Sequence, residues 1–164
     1  MSTKSIVVGL DSTAPSAAAL RWAAEEARER ALPLRIVNVW ELPSADEFLG
    51  VDTAAVSDEK ARADARSWAL QALDVDELPT EYELVVRRGA PGPALVTEAE
   101  GQALLVVGTG VHRGLRRLIE GSISHYCVAH APVPVVSVPA VQVTLPKSQA
   151  EKAARGPQPV GPLF

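Results

Sequence analysis

Five short apolar runs, separated by stretches with helical periodicity, constrain the fold of this chain more than any other feature. The runs cover residues 5–10, 34–40, 82–87, 103–107 and 134–138. Each has the length of a β-strand, and most are rich in Val, Ile and Leu. The first, second and fourth are almost continuously apolar, which is typical of parallel strands covered on both faces. The third mixes charged with apolar residues, which predicts an edge strand.

Helical patterns fill the spaces between the runs. From Ala17 to Ala31 small apolar residues recur every three or four positions, with Ser12 or Thr13 as the predicted N-cap and Pro15 in the first turn. Further helices are predicted over residues 59–73, 93–99 and 121–131. Strict alternation of strand and helix predicts an α/β domain with one parallel sheet and right-handed crossovers.

The pattern indicates one domain and a tail. The domain is predicted to span residues 1–140, with residues 41–56 as a surface loop rich in Pro, Ser, Asp and Gly. Residues 141–164 contain four prolines, two glycines and scattered charges, which predicts a mostly disordered C-terminal tail.

Composition excludes some classes of partner. The net charge is −4, and a mildly acidic chain is a poor general binder of nucleic acid or of anionic membranes. Cys127 is the single cysteine, so no internal disulfide forms, which fits a reducing compartment such as the cytoplasm. We see no signal peptide and no apolar stretch approaching the roughly 20 residues that span a bilayer, so no membrane association is expected.

A ligand site is predicted where the strands end. In open α/β sheets, ligands bind beyond the carboxyl ends of the strands, where the strand order reverses. The first strand leads into Asp11, and the fourth leads into Gly108. If these strands are neighbours, the two residues face each other across a crevice.

The segment after the fourth strand has features of a phosphate site. Gly121, Ser122, Ile123 and Ser124 are predicted to open the last helix, where unpaired N–H groups attract anions. Positive charge is supplied on the same loop by Arg113, Arg116 and Arg117. An ordinary solvated loop with a Ser cap explains these residues equally well.

Several chemistries lack residue support. There is no G-x-x-x-x-G-K-[ST] and no G-x-G-x-x-G motif, so neither a Walker phosphate loop nor a dinucleotide oxidoreductase is indicated. His125, Cys127 and His130 are two and five residues apart, spacings that do not share a helix face, which argues against a metal site. No nucleophile–base–orienter set is visible, so we do not expect an enzyme.

The chain resembles the universal stress protein family. The resemblance lies in the start Ile6-Val7-Val8-Gly9-Leu10-Asp11-Ser12, the strand end Val37-Asn38-Val39-Trp40, and residues 105–139. It covers about residues 4–139. It implies an open, Rossmann-like parallel sheet of five strands in the order 3-2-1-4-5, with helices on both faces. That order agrees with the edge position of the third strand and makes the first and fourth strands neighbours.

Many members of that family bind ATP, with Mg²⁺ accompanying it, through a G-x2-G-x9-G-[S/T] pattern. Gly108 fits its first position, and Gly121 and Ser122 fit its end. Val111 stands where the second glycine is expected. Valine resists positive φ and close approach to phosphate because its Cβ is branched. The departure leaves open a member that binds no nucleotide.

The resemblance also implies residue roles. Asp11 and Val39 would line the adenine and ribose end of the site. Ribose and phosphates would be held by residues of the segment after the fourth strand, namely Gly108, Gly121, Ser122, Ile123 and Ser124. Two structural alternatives remain: Asp11 as the cap of the first helix, and Val39 as plain strand packing.

The fifth strand, residues 133–138, is apolar and uncharged, and such an edge invites pairing with a second chain. The resemblance likewise implies a homodimer through this strand; alternatively, the tail covers the edge.

The leading hypothesis is a homodimeric, ATP-binding stress-response protein that regulates without efficient turnover. The rival is an adaptor that binds no nucleotide and acts through protein partners. A slow ATPase or nucleotidyl-transfer enzyme is the third hypothesis.

Overall fold

The computed structural model describes residues 3–41, 53–109 and 117–140. Within these ranges strands and helices alternate as the sequence predicts. The strands are β1 (Ile6–Gly9), β2 (Leu34–Trp40), β3 (Tyr82–Arg88), β4 (Leu104–Thr109) and β5 (Val135–Pro139). The helices are α1 (Ala14–Arg30), α2 (Thr53–Leu73), α3 (Pro91–Ala99) and α4 (Arg117–His130).

The strands form one parallel sheet in the order β3-β2-β1-β4-β5. This order confirms the expected 3-2-1-4-5 arrangement. The chain moves outward from β1 to β3 and then crosses back to β4, so the strand order reverses between β1 and β4. The carboxyl ends of these two strands therefore flank the switch point, where open sheets bind ligands.

Two apolar clusters cover the two faces of the sheet. One face packs against α1 and α2, with Leu20 and Ile36 fully buried. The other packs against α3 and α4, with Leu105 and Cys127 fully buried. Burial raises the pKa of the Cys127 thiol to about 11, so this thiol is neutral at physiological pH. Cys127 is therefore a small residue of the core.

The starts of α4 and α2 differ most from the prediction. Helix α4 begins at Arg117, four residues before the predicted start at Gly121. Residues 117–120 are Arg-Leu-Ile-Glu, and a single interior glycine costs a helix only about 1 kcal/mol, so Gly121 does not mark a boundary. Helix α2 begins at Thr53, inside the predicted loop 41–56. The rest of that loop, Val111 with Arg113 and Arg116, and the tail 141–164 lie outside the described residues.

The two sheet edges differ in chemistry. At the β3 edge, Arg62 of α2 donates a hydrogen bond to the carbonyl of Leu84 at 3.2 Å. Ion pairs join Glu83 to Arg35 and Arg87 to Glu98 on the same side of the molecule. The β5 edge has the sequence Val-Val-Ser-Val-Pro, which carries no charge and is partly exposed throughout. The edge position predicted for the third strand is confirmed.

Candidate functional site

A cleft opens at the carboxyl ends of β1, β2 and β4. Its volume is about 610 Å³ with the open space at its mouth included. Apolar side chains form most of its walls, namely Val37, Val39, Pro91, Leu95, Val107 and Ile123. The turn from β1 into α1 supplies the polar groups, Asp11, Thr13 and Ser16.

Asp11 organises this turn. Its Oδ1 accepts hydrogen bonds from the Thr13 amide at 2.8 Å and from the Thr13 hydroxyl at 2.5 Å. Thr13 is the N-cap of α1, and its side-chain oxygen accepts from the amide of Ser16. The alternative of Asp11 as the helix cap is therefore wrong. The cap is Thr13, and Asp11 accepts hydrogen bonds from it.

Two further polar side chains hold the turn in place through hydrogen bonds to its backbone. The Ser16 hydroxyl accepts a hydrogen bond from the Asp11 amide at 3.1 Å and lies 2.9 Å from the Asp11 carbonyl. The buried Asn38 side chain on β2 donates to the Leu10 carbonyl at 2.9 Å, while the Leu10 amide donates to Val37. The backbone leading into Asp11 is thus held from β2 as well as from α1.

These supporting residues received no role from the sequence, apart from Thr13 as a candidate cap. Asn38 did leave a signal, since it is an amide within an otherwise apolar strand segment, Ile36 to Val39. Buried polar groups are almost always hydrogen-bonded, so an isolated amide in such a segment indicates a backbone group that needs a partner. Ser16 left no comparable signal, because serine is common in first helical turns.

Gly108 at the end of β4 lies against the first turn of α1. A Cβ built on it would lie 2.4 Å from the carbonyl carbon of Pro15 and 2.6 Å from the amide nitrogen of Ser16. Those contacts are far shorter than van der Waals separation and involve backbone, which has little freedom to yield. Glycine at this position allows α1 to start directly beside β4, whatever further part it has in a ligand site.

The residues predicted for the site separate into four groups. Asp11, Val39, Gly108 and Ile123 all border the cleft. Ser124 is buried and does not line it. Gly121 and Ser122 lie in the second turn of α4, so they do not form the helix N-terminus that the sequence predicts for them. Val111 is outside the described residues.

Val39 belongs both to the packing of the sheet and to the wall of the cleft. It packs against the apolar cluster under α3 and α4, and it also faces the cleft. Asp11 is the one ionisable side chain among the described residues that line the cleft. The described walls therefore suit an uncharged, largely apolar group with a few hydrogen-bonding positions.

A polar cluster occupies the same end of the sheet beside β2 and β3. Asp58 of α2 accepts hydrogen bonds at Oδ1 from Trp40 Nε1 at 3.1 Å and from Arg88 Nε at 2.8 Å, and at Oδ2 from Arg88 Nη2. The guanidinium carbon of Arg88 lies 5.2 Å from the Trp40 ring centroid. Hydrogen bonds from Arg88 are the main reason that the pKa of Asp58 is lowered.

The histidines considered for metal binding lie on α4. His125 and His130 are exposed, and the His130 ring stacks on Tyr126 with centroids 4.1 Å apart. Among residues 3–41, 53–109 and 117–140, no three His, Cys, Asp or Glu side chains come together to hold a metal ion. Within the same ranges, no helix is long and apolar enough to cross a membrane.

The sheet order and a cleft at its switch point define a Rossmann-like α/β protein with a small-ligand crevice. The particular family follows from sequence comparison. The sequence model of the universal stress protein family matches residues 2–139, and the chain belongs to that family.

Curated relatives come from Mycobacterium tuberculosis. Universal stress protein Rv2028c is 31% identical over 109 residues, which are 66% of this chain and 38% of the relative. Universal stress protein Rv2624c is 29% identical over 137 residues, 81% of this chain and 48% of the relative. The chain therefore spans less than half the length of these relatives.

Solved structures of universal stress proteins share the fold. One from Archaeoglobus fulgidus, in complex with dAMP, is 26% identical with a TM-score of 0.55, covering 84% of this chain and 99% of that chain. Universal stress protein UspA from Lactobacillus plantarum has a TM-score of 0.57 at 20% identity, with the same two coverages.

Proposed function

We propose that this protein binds an adenine nucleotide in the cleft between β1 and β4, with ATP as the first candidate. The observation that carries this proposal is that Asp11, Val39, Gly108 and Ile123 border one cleft although they come from four separate elements. The family resemblance implies nucleotide-contact roles for the same four residues.

The cleft has the physical properties that a nucleoside needs. A flat base fits between apolar walls such as Val39 and Ile123, and a ribose needs hydrogen-bonding partners such as the Asp11 turn. The Archaeoglobus fulgidus relative, at 26% identity, is a complex with dAMP. These observations support adenine and ribose binding more directly than phosphate binding, because Gly121 and Ser122 lie inside α4.

We propose a regulatory, non-catalytic role in a cytoplasmic stress response. General acid–base catalysis needs a titratable group with partners that tune it. Asp11 is the one ionisable side chain among the described lining residues, and its Oδ1 accepts two hydrogen bonds from Thr13. Mg²⁺ would arrive with the nucleotide phosphates. Phosphate release well above that of a Gly121→Val control would indicate an ATPase instead.

We also propose a homodimer through β5. The carbonyl of Pro134 accepts a hydrogen bond from Leu105, so the even-numbered positions of this strand turn their backbone groups toward β4. The backbone groups of Val135 and Ser137 consequently point to the open edge. That edge is uncharged. At the opposite edge, β3, charged side chains lie beside the strand: Arg62 bonds to its backbone, and ion pairs join its side chains to neighbouring elements. Uncharged, unguarded edges favour strand pairing between chains.

Calorimetric titration of the purified protein with Mg-ATP, AMP and adenosine tests nucleotide binding. We expect heat from at least ATP at millimolar concentration or below. No heat at millimolar ATP would remove the binding proposal. If adenosine binds nearly as well as ATP, the contacts are confined to the nucleoside end of the cleft.

Helix α4 offers a matched pair of variants for this titration. Ile123→Trp should fill the cleft and reduce ATP affinity at least tenfold, because Ile123 is part of its wall. Val128→Trp is the control, because Val128 is 61% exposed on the same helix and does not line the cleft. Equal affinity in both variants would place the nucleotide elsewhere.

The alternative function is an adaptor that binds no nucleotide and acts through protein partners. The observation that favours it is Val111 at the position where the family pattern has its second glycine. Val111→Gly separates the two functions. A large gain in ATP affinity over an inert wild type would identify an adaptor that lacks a working phosphate loop. Unchanged affinity, with binding intact in the wild type, would support the nucleotide-binding function.

A further inference from the structure

A second groove runs between α1 and β5, away from the nucleotide cleft. Its volume is about 820 Å³ with open space included, and it shares no lining residue with the nucleotide cleft. Trp22 of α1 and Val138 of β5 both line it. Both side chains are only partly buried, and both also pack against the apolar cluster under α1. The groove is therefore a place where this core remains open to solvent.

The chain itself leads into this groove. Pro139 and Ala140, the last described residues, both line it. Strand β5 ends at Pro139, so the chain leaves the sheet beside the groove. Whatever follows Ala140 starts within contact distance of the groove, at the high effective concentration of a directly joined segment.

The next residues have the composition that such a groove accepts. Val141, Val143 and Leu145 alternate with Gln142 and Thr144, so one side of an extended segment would be apolar and the other polar. Five residues in extended form reach roughly 17 Å, enough to follow a helix for about three turns. Pro146 then interrupts the pattern.

Charge complementarity points to the same occupant. Arg21 and Glu25 of α1 both line the groove, and Arg21 donates a hydrogen bond to the carbonyl of Ala72. Among the residues that the structure describes, no hydrogen bond or ion pair engages the Glu25 carboxylate. The first charged residue after Ala140 is Lys147. In an extended chain, the Cα of Lys147 can lie up to roughly 23 Å from the Cα of Ala140.

We propose that residues 141–145 of the same chain dock into the groove between α1 and β5 and cover Trp22. The docked segment closes the open side of the core beneath α1. It leaves the outward backbone groups of Val135 and Ser137 accessible, so it is compatible with pairing of two β5 strands. It also does not depend on nucleotide binding, because the two clefts have separate linings.

Fluorine NMR of the full chain labelled with 5-fluorotryptophan tests this docking. The protein has three tryptophans, Trp22, Trp40 and Trp68, and Trp22→Phe assigns the resonance of interest. The test variant changes Val141, Val143 and Leu145 to Ser. The matched control changes the intervening Gln142 and Thr144 to Ser, which keeps the apolar residues.

In the test variant we expect the Trp22 resonance to move and its H2O/D2O solvent shift to increase, with Trp40 and Trp68 unchanged. The control should match the wild type. A Trp22 resonance that is the same in all three proteins would overturn the docking proposal. A Trp22 difference that disappears on dilution, together with a fall in molar mass, would assign the groove to a second copy of the chain and also overturn it.

Discussion

Gly108 and Pro15 approach each other so closely that no side chain fits between them. A Cβ on Gly108 would lie 2.4 Å from the Pro15 carbonyl carbon. The contact joins the end of β4 to the start of α1 and therefore sets the width of the cleft at the switch point. Its consequences are measurable, because the atoms that a Cβ on Gly108 would meet are backbone atoms, which have little freedom to move.

Gly108→Ala should destabilise the fold by about 1–3 kcal/mol or more, because α1 must move away from β4 to admit the methyl group. Gly9→Ala is the control, since its Cβ would meet only the Leu95 side chain, with the nearest methyl group at 3.0 Å, and a side chain can rotate away. Urea unfolding of both variants measures the difference. If the two glycines cost the same, backbone contact at Gly108 is not the limiting factor.

Asn38→Leu should lower stability by about 1–3 kcal/mol, because the buried Leu10 carbonyl loses its side-chain partner. It should also weaken ATP binding, since the turn that carries Asp11 loses its support from β2. Gln102→Met is the matched variant at the other end of β1, where Gln102 accepts from the Ser5 amide at 2.8 Å. Calorimetry should show normal ATP affinity for that variant. Normal affinity in Asn38→Leu as well would show that the turn does not need this support.

Asp58 should make stability depend on pH in the acid range. Its folded-state pKa lies below the ordinary value of 3.8, so the folded state stabilises the carboxylate. The contribution is complete above the unfolded-state pKa and is lost as pH falls through the lower folded-state pKa. Asp58→Asn should therefore be less stable than the wild type at pH 7, with a difference that shrinks below about pH 3.8. Urea midpoints from pH 7 to pH 3 measure it, and a gap that widened on acidification would contradict the assigned direction.

Ser137→Pro should disrupt the proposed dimer without breaking the sheet. The Ser137 amide points to the open edge, and proline is tolerated on edge strands where its missing N–H faces outward. Ser137→Thr keeps the amide and serves as the control. Sedimentation equilibrium should give a monomer mass for the first variant and a dimer mass for the second and the wild type. A wild type that is monomeric at all concentrations would remove the dimer.

The sequence predicted the architecture because each strand and helix carries its own local signal. Apolar runs such as Leu34–Trp40 and the alanine stripe of α1 depend only on which faces are buried. The Thr13 cap and Pro15 in the first turn were also predictable, because capping is a local interaction. Predictions were poorest at the start of α4, where Gly121 looked like a boundary and is an interior residue. Whether a helix begins at a glycine depends also on whether the residues before that glycine are themselves helical.

The alternation of strands and helices, the parallel arrangement of the strands and three of the residues beside the cleft, Asp11, Gly108 and Ile123, were determined by the sequence alone. The family resemblance supplied the strand order and Val39. Only the tertiary structure decided that Gly108 admits the backbone of α1, that Asn38 holds Leu10, and that Trp22 faces a groove at Ala140. The physical reason is distance along the chain. Local patterns report what a residue prefers, whereas these contacts join residues tens of positions apart, and only the packing of strands against helices brings them together.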